Sequence, residues 1–185
     1  MDKLRPTTPI PALEGLTVGD FWSWAYSDLL SNQNRGVFAE FLVGTALGVV
    51  DKPRVEWDGC DLIYRGHKIE VKASGFLQSW QQHTLSPVRF DIALKQAWDA
   101  AANTYSNRAL RVSDCYVFCL FGETDPARIS VLNVEAWSFF ILSSRFIDAR
   151  LGGQKTIGLE PLRQLCEPVH YDRLRAAVDR VLNVM

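Results

Sequence analysis

Seven apolar side chains follow one another without alternation in Cys115-Tyr116-Val117-Phe118-Cys119-Leu120-Phe121. A strand of that composition belongs in the middle of a sheet, buried on both faces. Asp114 to Phe121 is therefore expected as a central strand. On its N-terminal side two helices are expected. The first runs from about Val18 to Leu30, capped by Thr17 with Asp20 in its first turn. The second starts at Ser31 or Asn32 and ends near Gly48. Short strands are expected at Val55 to Trp57, Asp61 to Tyr64, His67 to Ser74, Val88 to Ile92, Arg128 to Leu132, Phe139 to Leu142 and Lys155 to Leu159. Lys95 to Arg108 shows no clean period. A C-terminal helix is expected from about Tyr171 to Leu182, with Leu174, Ala177, Val178, Val181 and Leu182 along one side. The sum is a mixed α/β chain, one domain over residues 1–185, with residues 1–16 as an extended lead.

Composition excludes several classes. The longest apolar stretch, Val37 to Val50, is broken by Glu40 and falls short of the ~20 residues a spanning helix needs. No signal peptide is expected, because the N-terminus has no apolar segment, and a cytoplasmic location with no membrane contact follows as an expectation. The four cysteines form no CxxC pair, so zinc is not expected, and Cys115 and Cys119 are read as small core hydrophobes. Net charge is −1. Residues 1–61 carry −4, residues 62–111 carry +4 and residues 112–185 carry −1. The basic excess begins just after Asp61, and a local positive field of this kind suits a polyanion.

The chemistry lies in the hairpin. With a two-residue turn at Arg65-Gly66, Tyr64 faces His67, Ile63 faces Lys68, Leu62 faces Ile69 and Asp61 faces Glu70. Lys68, Glu70, Lys72 and Ser74 then share a face with Asp61. Two opposed carboxylates repel one another, and a cation between them removes the conflict. Mg²⁺, a hard ion satisfied by one or two carboxylates, waters and phosphate oxygens, suits the place. Lys72 would orient or help deprotonate an attacking water, or offset charge at phosphorus. The competing explanation is a solvated hairpin with ordinary salt bridges. In the second helix Glu40 is the only charged side chain of an otherwise apolar body. It calls for either an internal arginine or a place at the edge of a metal site, and Gly36 and Gly44 would leave room beside it.

The order helix-borne Glu40, Asp61, then Glu70-Val71-Lys72 in a hairpin resembles the core motif of the PD-(D/E)XK nucleases. That superfamily includes restriction endonucleases, Holliday-junction resolvases and repair nucleases. The resemblance covers residues 32–74 by motif. Ser74 to Trp80 and the Trp98-Asp99 to Tyr105 region are also similar to uncharacterised bacterial proteins grouped with these enzymes. It implies a restriction-endonuclease-like mixed β-sheet core flanked by helices, and a Mg²⁺-dependent endonuclease acting on DNA, with Mn²⁺ able to substitute. Asp61, Glu70 and the Val71 carbonyl would hold metal, Glu40 would support it, and Lys72 would serve the attacking water. Cys60 stands where proline often precedes the first acid, and Asp58 is an alternative to Asp61. Gln78 and Gln81, in a cluster with Gln82 and His83, and Lys95 and Arg108, near Trp98, Tyr105 and Asn107, are candidates for nucleic-acid contact; a polar surface loop is the competing and simpler explanation. A homodimer is compatible with cutting two strands. The rival class is a non-catalytic fold member that binds DNA or a protein.

Overall fold

In the computed structural model residues 2–55, 59–99 and 104–184 are described, with the backbone alone at 97–99 and 104–108. The first helix, α1 (Val18–Tyr26), opens with Thr17 and Asp20 bonded to each other: the Asp20 carboxylate accepts from the Thr17 amide at 2.8 Å and from its hydroxyl at 2.7 Å. It stops short of Leu30 because Asp28 draws the chain into a turn. Its carboxylate accepts from the amides of Leu30 and Ser31, both at 3.2 Å, in competition with helical bonding. α2 (Asn32–Leu47) follows, with the Ser31 hydroxyl accepting from the Asn34 amide and Gly48 closing the helix at φ 76°.

The hairpin is formed by β1 (Leu62–Tyr64) and β2 (His67–Gly75), paired Leu62–Ile69, Ile63–Lys68 and Tyr64–His67 as expected. Arg65 and Gly66 both have positive φ, 50° and 82°, the conformation that a two-residue turn of matching twist demands. Arg65 adopts it with its guanidinium 5.3 Å from the centre of the Tyr64 ring. β3 (Arg89–Asp91) pairs with a late strand, and β4 (Lys95–Asp99) and β5 (Thr104–Leu110) form an antiparallel ribbon outside the main sheet. β6 (Cys115–Phe121) lies parallel to β2, from Ile69–Cys115 to Gly75–Phe121. β7 (Trp137–Ser143) lies antiparallel to β6 on its other side. The main sheet has the order β1-β2-β6-β7, so the apolar run is central, and all seven of its residues are buried.

Two short helices unmarked by any clear period, α3 (Ser144–Leu151) and α4 (Leu159–Leu165), flank β8 (Thr156–Gly158), the partner of β3. The last helix, α5 (Leu174–Leu182), follows a 3-10 turn at Tyr171–Arg173. The expected strand at Arg128 to Leu132 is absent. Pro126–Arg128 is a 3-10 turn in which Asp125 accepts from the Ala127 amide and Glu123 from the amides of Thr124 and Asp125, and Leu132 is 65% exposed. The strand expected at Val55 to Trp57 does not form at Val55; the rest lies outside the described residues.

A core lies on each face of the sheet. Leu42, Val43 and Leu47 of α2 and Leu174 and Val178 of α5 meet Val71, Val117 and Phe139 on one face. On the other, Phe90, Ile147, Ile157 and Leu162 meet Tyr116, Phe118 and Phe140. A mixed four-stranded sheet between helices is thus the frame on which the hairpin sits. Among the described residues no helix is long and apolar enough to cross a membrane.

Gly44 permits a close approach inside this frame, whereas Gly36 does not. A Cβ at Gly44 would stand 2.6 Å from Val50 Cγ1, a stiff side chain of the returning loop, whereas one at Gly36 would meet nothing within 4 Å. Gly36→Ala is therefore expected to gain about 1 kcal/mol of helix propensity and raise Tm by ~2–4 °C. Gly44→Ala is expected to lose ~1–3 kcal/mol to overpacking, and paired thermal melts check the opposite signs.

Candidate active site

One step before the first paired residue of β1, Asp61 stands opposite Glu70. Its amide donates to the Ile69 carbonyl at 3.1 Å, continuing the ladder, and its carboxylate Oδ2 accepts from the Val71 amide at 2.7 Å. The side chain thus takes the place of the next strand residue. In an antiparallel ladder a residue's N–H and C=O point to the same side, so the Val71 carbonyl aims toward Asp61 as well, beyond the paired end of β1.

Glu70 is held from three directions. Its carboxylate accepts from Lys72 Nζ at 2.6 Å, from Lys95 Nζ at 3.4 Å, and, at the other oxygen, from the Ser113 hydroxyl at 3.1 Å. Ser113 is buried, two residues before β6 begins, where Ser144 donates to its carbonyl. Burial works against the Glu70 charge, but the Lys72 ammonium, aided by Lys95 and Ser113, outweighs it and holds the carboxyl below its ordinary range. Burial likewise works against the Lys72 charge, and the carboxylates of Glu70, Asp61 and Asp91 overcome it and raise its pKa.

Asp61 has no such compensation. Burial first, then repulsion from Glu70 and Glu40, push its carboxyl up to about 6, although the Val71 amide and Lys72 pull the other way. Such a group adds stability to the fold that is fully present below the ordinary value of 3.8 and is lost as pH rises through about 6. The corresponding penalty at neutral pH is ~3 kcal/mol at most. In metal-free buffer Asp61→Asn, which keeps an acceptor for the Val71 amide, is expected to melt ~5 °C above the parent at pH 7.5. The advantage should shrink to nothing below pH ~4; melts across that range check it, and a gain that persisted in acid would contradict the assignment.

Glu40 forms a bidentate pair with Arg54, 2.9 Å at the longer contact, so an arginine partner is present, though its side chain is 37% exposed. It also borders Asp61: both line a groove of about 620 Å³ with Lys3, Lys52, Phe41 and Ile63. Asp58 lies outside the described residues, and so does the side chain of Arg108, with those of Trp98, Tyr105 and Asn107. Gln78 is tied inward, accepting from Arg35 Nη2 at 3.1 Å and donating to the Gly75 carbonyl at 3.0 Å. Gln81 is exposed, and Lys95 is drawn to Glu70 and to Asp91 at 3.8 Å. Ser113, Arg54 and Arg35 carry no signal in the local sequence; each acts on a group far along the chain.

The donor set near Asp61 is hard: two opposed carboxylates and a backbone carbonyl, with a surplus of negative charge. That set fits Mg²⁺, which takes few protein ligands and keeps its waters. Among the described residues no three carboxylate, imidazole or thiol groups converge into a ready-made cage. No protein-family model matches the chain, and no curated protein is significantly similar to it.

Proposed function

We propose that the chain is a Mg²⁺-dependent endonuclease that hydrolyses DNA phosphodiester bonds, with a PD-(D/E)XK-type site on a restriction-endonuclease-like sheet. One observation carries the reading: the Asp61 carboxylate, fixed on the Val71 amide, stands opposite Glu70 on one face of the hairpin, beside Lys72. Evolution of a purely structural hairpin gains nothing from such a conflict, whereas a divalent cation relieves it. Asp61, Glu70 and the Val71 carbonyl would hold the ion, with Glu40 behind Asp61. Bound there, Mg²⁺ (or Mn²⁺) would supply Lewis-acid stabilisation of charge at the phosphate. Lys72, steered by Glu70, orients the attacking water and donates toward the phosphoryl oxygens. Lys95, its stem exposed beside the same acid, offers a second cation to the strand. A cytoplasmic protein working as a homodimer, one site per DNA strand, belongs to the same reading.

A binding module without catalysis is the second reading, favoured by the direct 2.6 Å contact between Lys72 and Glu70, which occupies both groups with each other. Supercoiled and linear plasmid incubated with Mg²⁺, Mn²⁺ or EDTA, beside Asp61→Asn, separates the two. Nicking or cutting that needs the ion and Asp61 is expected. DNA retained on the protein but intact with either ion would favour the module.

A further inference from the structure

Arg35, at 1% exposure, is a guanidinium inside the protein with no carboxylate among its hydrogen-bond partners in the described residues. Nη1 donates to the carbonyls of Leu30 at 3.1 Å and Leu77 at 3.0 Å; Nη2 donates to Asn32 Oδ1 and to Gln78 Oε1; Nε has no partner among the described residues. Burying an uncompensated charge is costly. Two of its four bonds secure one loop, residues 76–86.

That loop is also rigid from within. The Ser86 amide closes it on the Phe76 carbonyl at 2.9 Å. The Gln82 amide group fills its centre, accepting from the Gln78 amide at 2.7 Å and donating to Phe76 O, Thr84 O and Ser86 Oγ at 3.2, 3.3 and 2.9 Å. Rigid loops on a scaffold are what recognition uses, because their ordering cost is met before the ligand arrives. With Pro126 and Ile129 the loop encloses a hollow of about 480 Å³. Its walls include buried Leu77 and half-exposed Leu85, and Trp80 stands at the rim, 56% exposed. Gln78 and Gln82 are consumed by the loop, while Gln81 and His83 are exposed without hydrogen-bond partners among the described residues. Among the described residues no carboxylate lines the hollow.

We propose that this hollow receives an unpaired nucleobase of a DNA strand, stacked on Trp80 with its edge read by Gln81. An indole face, an amide that both donates and accepts, and walls free of negative charge are the complements of a base carried on a phosphate chain. A paired base hides its faces in the stack, so the base must be single-stranded or turned out of the duplex. Gln78 follows Lys72 by six residues, a reach of ~20 Å at most, so one strand spans both places. The inference rests on the nucleic-acid reading above but not on cleavage.

The test uses 2-aminopurine as the base, in EDTA, presented in a single-stranded oligonucleotide, in a fully paired duplex and as the free deoxynucleotide. Quenching and binding are expected with the single strand, at least ~10-fold tighter than with either other form. Trp80→Ala should weaken it ~5- to 100-fold without moving Tm, and Gln81→Ala should flatten the preference among the four bases. Equal affinity for single strand and duplex, affinity for the free nucleotide alone, or indifference to Trp80→Ala would each overturn the proposal. Base binding without cleavage would leave the hollow standing and remove the nuclease reading. Ion-dependent cutting with no effect of Trp80→Ala would do the reverse.

Discussion

Lys72→Ala is expected to cut plasmid ~10²–10⁴-fold more slowly than the parent in Mg²⁺, with its secondary structure intact. The lysine is three-quarters or more covered, and its ammonium is the nearest cation to Glu70. On the proposed reading its removal withdraws the group that would face the attacking water and phosphate, and it leaves Glu70 to repel Asp61 more strongly. Glu70 keeps Lys95 and Ser113, so the loss of fold stability should be modest at neutral pH. Its depressed pKa contributes stability above the ordinary value, lost as pH falls through the folded one. The variant should surrender part of that contribution and show a shallower loss on acidification. Cleavage at parental rate in a pure preparation would end the assignment of Lys72.

The second large effect concerns folding. Arg35→Ala is expected to lose ~3–5 kcal/mol, since each buried acceptor left without a donor costs about 1–3 kcal/mol, and to lower Tm by roughly 10 °C. The carbonyls of Leu30 and Leu77 and the amide oxygen of Gln78 lose their donors inside the protein. Arg35→Lys should rescue little, because one ammonium cannot reach four acceptors spread over a planar fork. Gly75 constrains the same place, since a Cβ there would stand 3.4 Å from Arg35 Nη1 and 3.2 Å from the Phe121 carbonyl. Equal melting of parent and both variants would show that the guanidinium carries no such burden.

What could be read from the residues was local or binary. The run 115–121 announced the central strand because seven consecutive apolar residues have only one comfortable place in a sheet. Ser31 and Gly48 bounded α2, and the Arg65-Gly66 turn fixed the register that sets Asp61 against Glu70. The short helices α3 and α4 were not legible, since seven or eight residues hold barely two turns of pattern, and Pro161 lies inside the second. Arg128 to Leu132 has the alternation of a strand, yet side-chain caps at Glu123 and Asp125 take its lead-in. Gln78, a candidate for nucleic-acid contact by its place after the lysine strand, engages Arg35 across 43 positions. Ser113 reaches Glu70 over the same separation. No local pattern encodes such pairs.

The parallel union of β2 with β6, residue 69 beside residue 115, also governs when the acidic cluster acquires its shape. A hairpin such as β1–β2 closes in ~1–10 μs. Joining β6 requires closing a long intervening loop first, and such non-local pairing is slow. Until then Glu70 lacks the Ser113 hydroxyl and the covered face that steers it toward Lys72. During synthesis, at ~5–20 residues per second, the chain therefore carries its acids for seconds before they are set. On the proposed reading, cleavage would arrive only with the completed sheet.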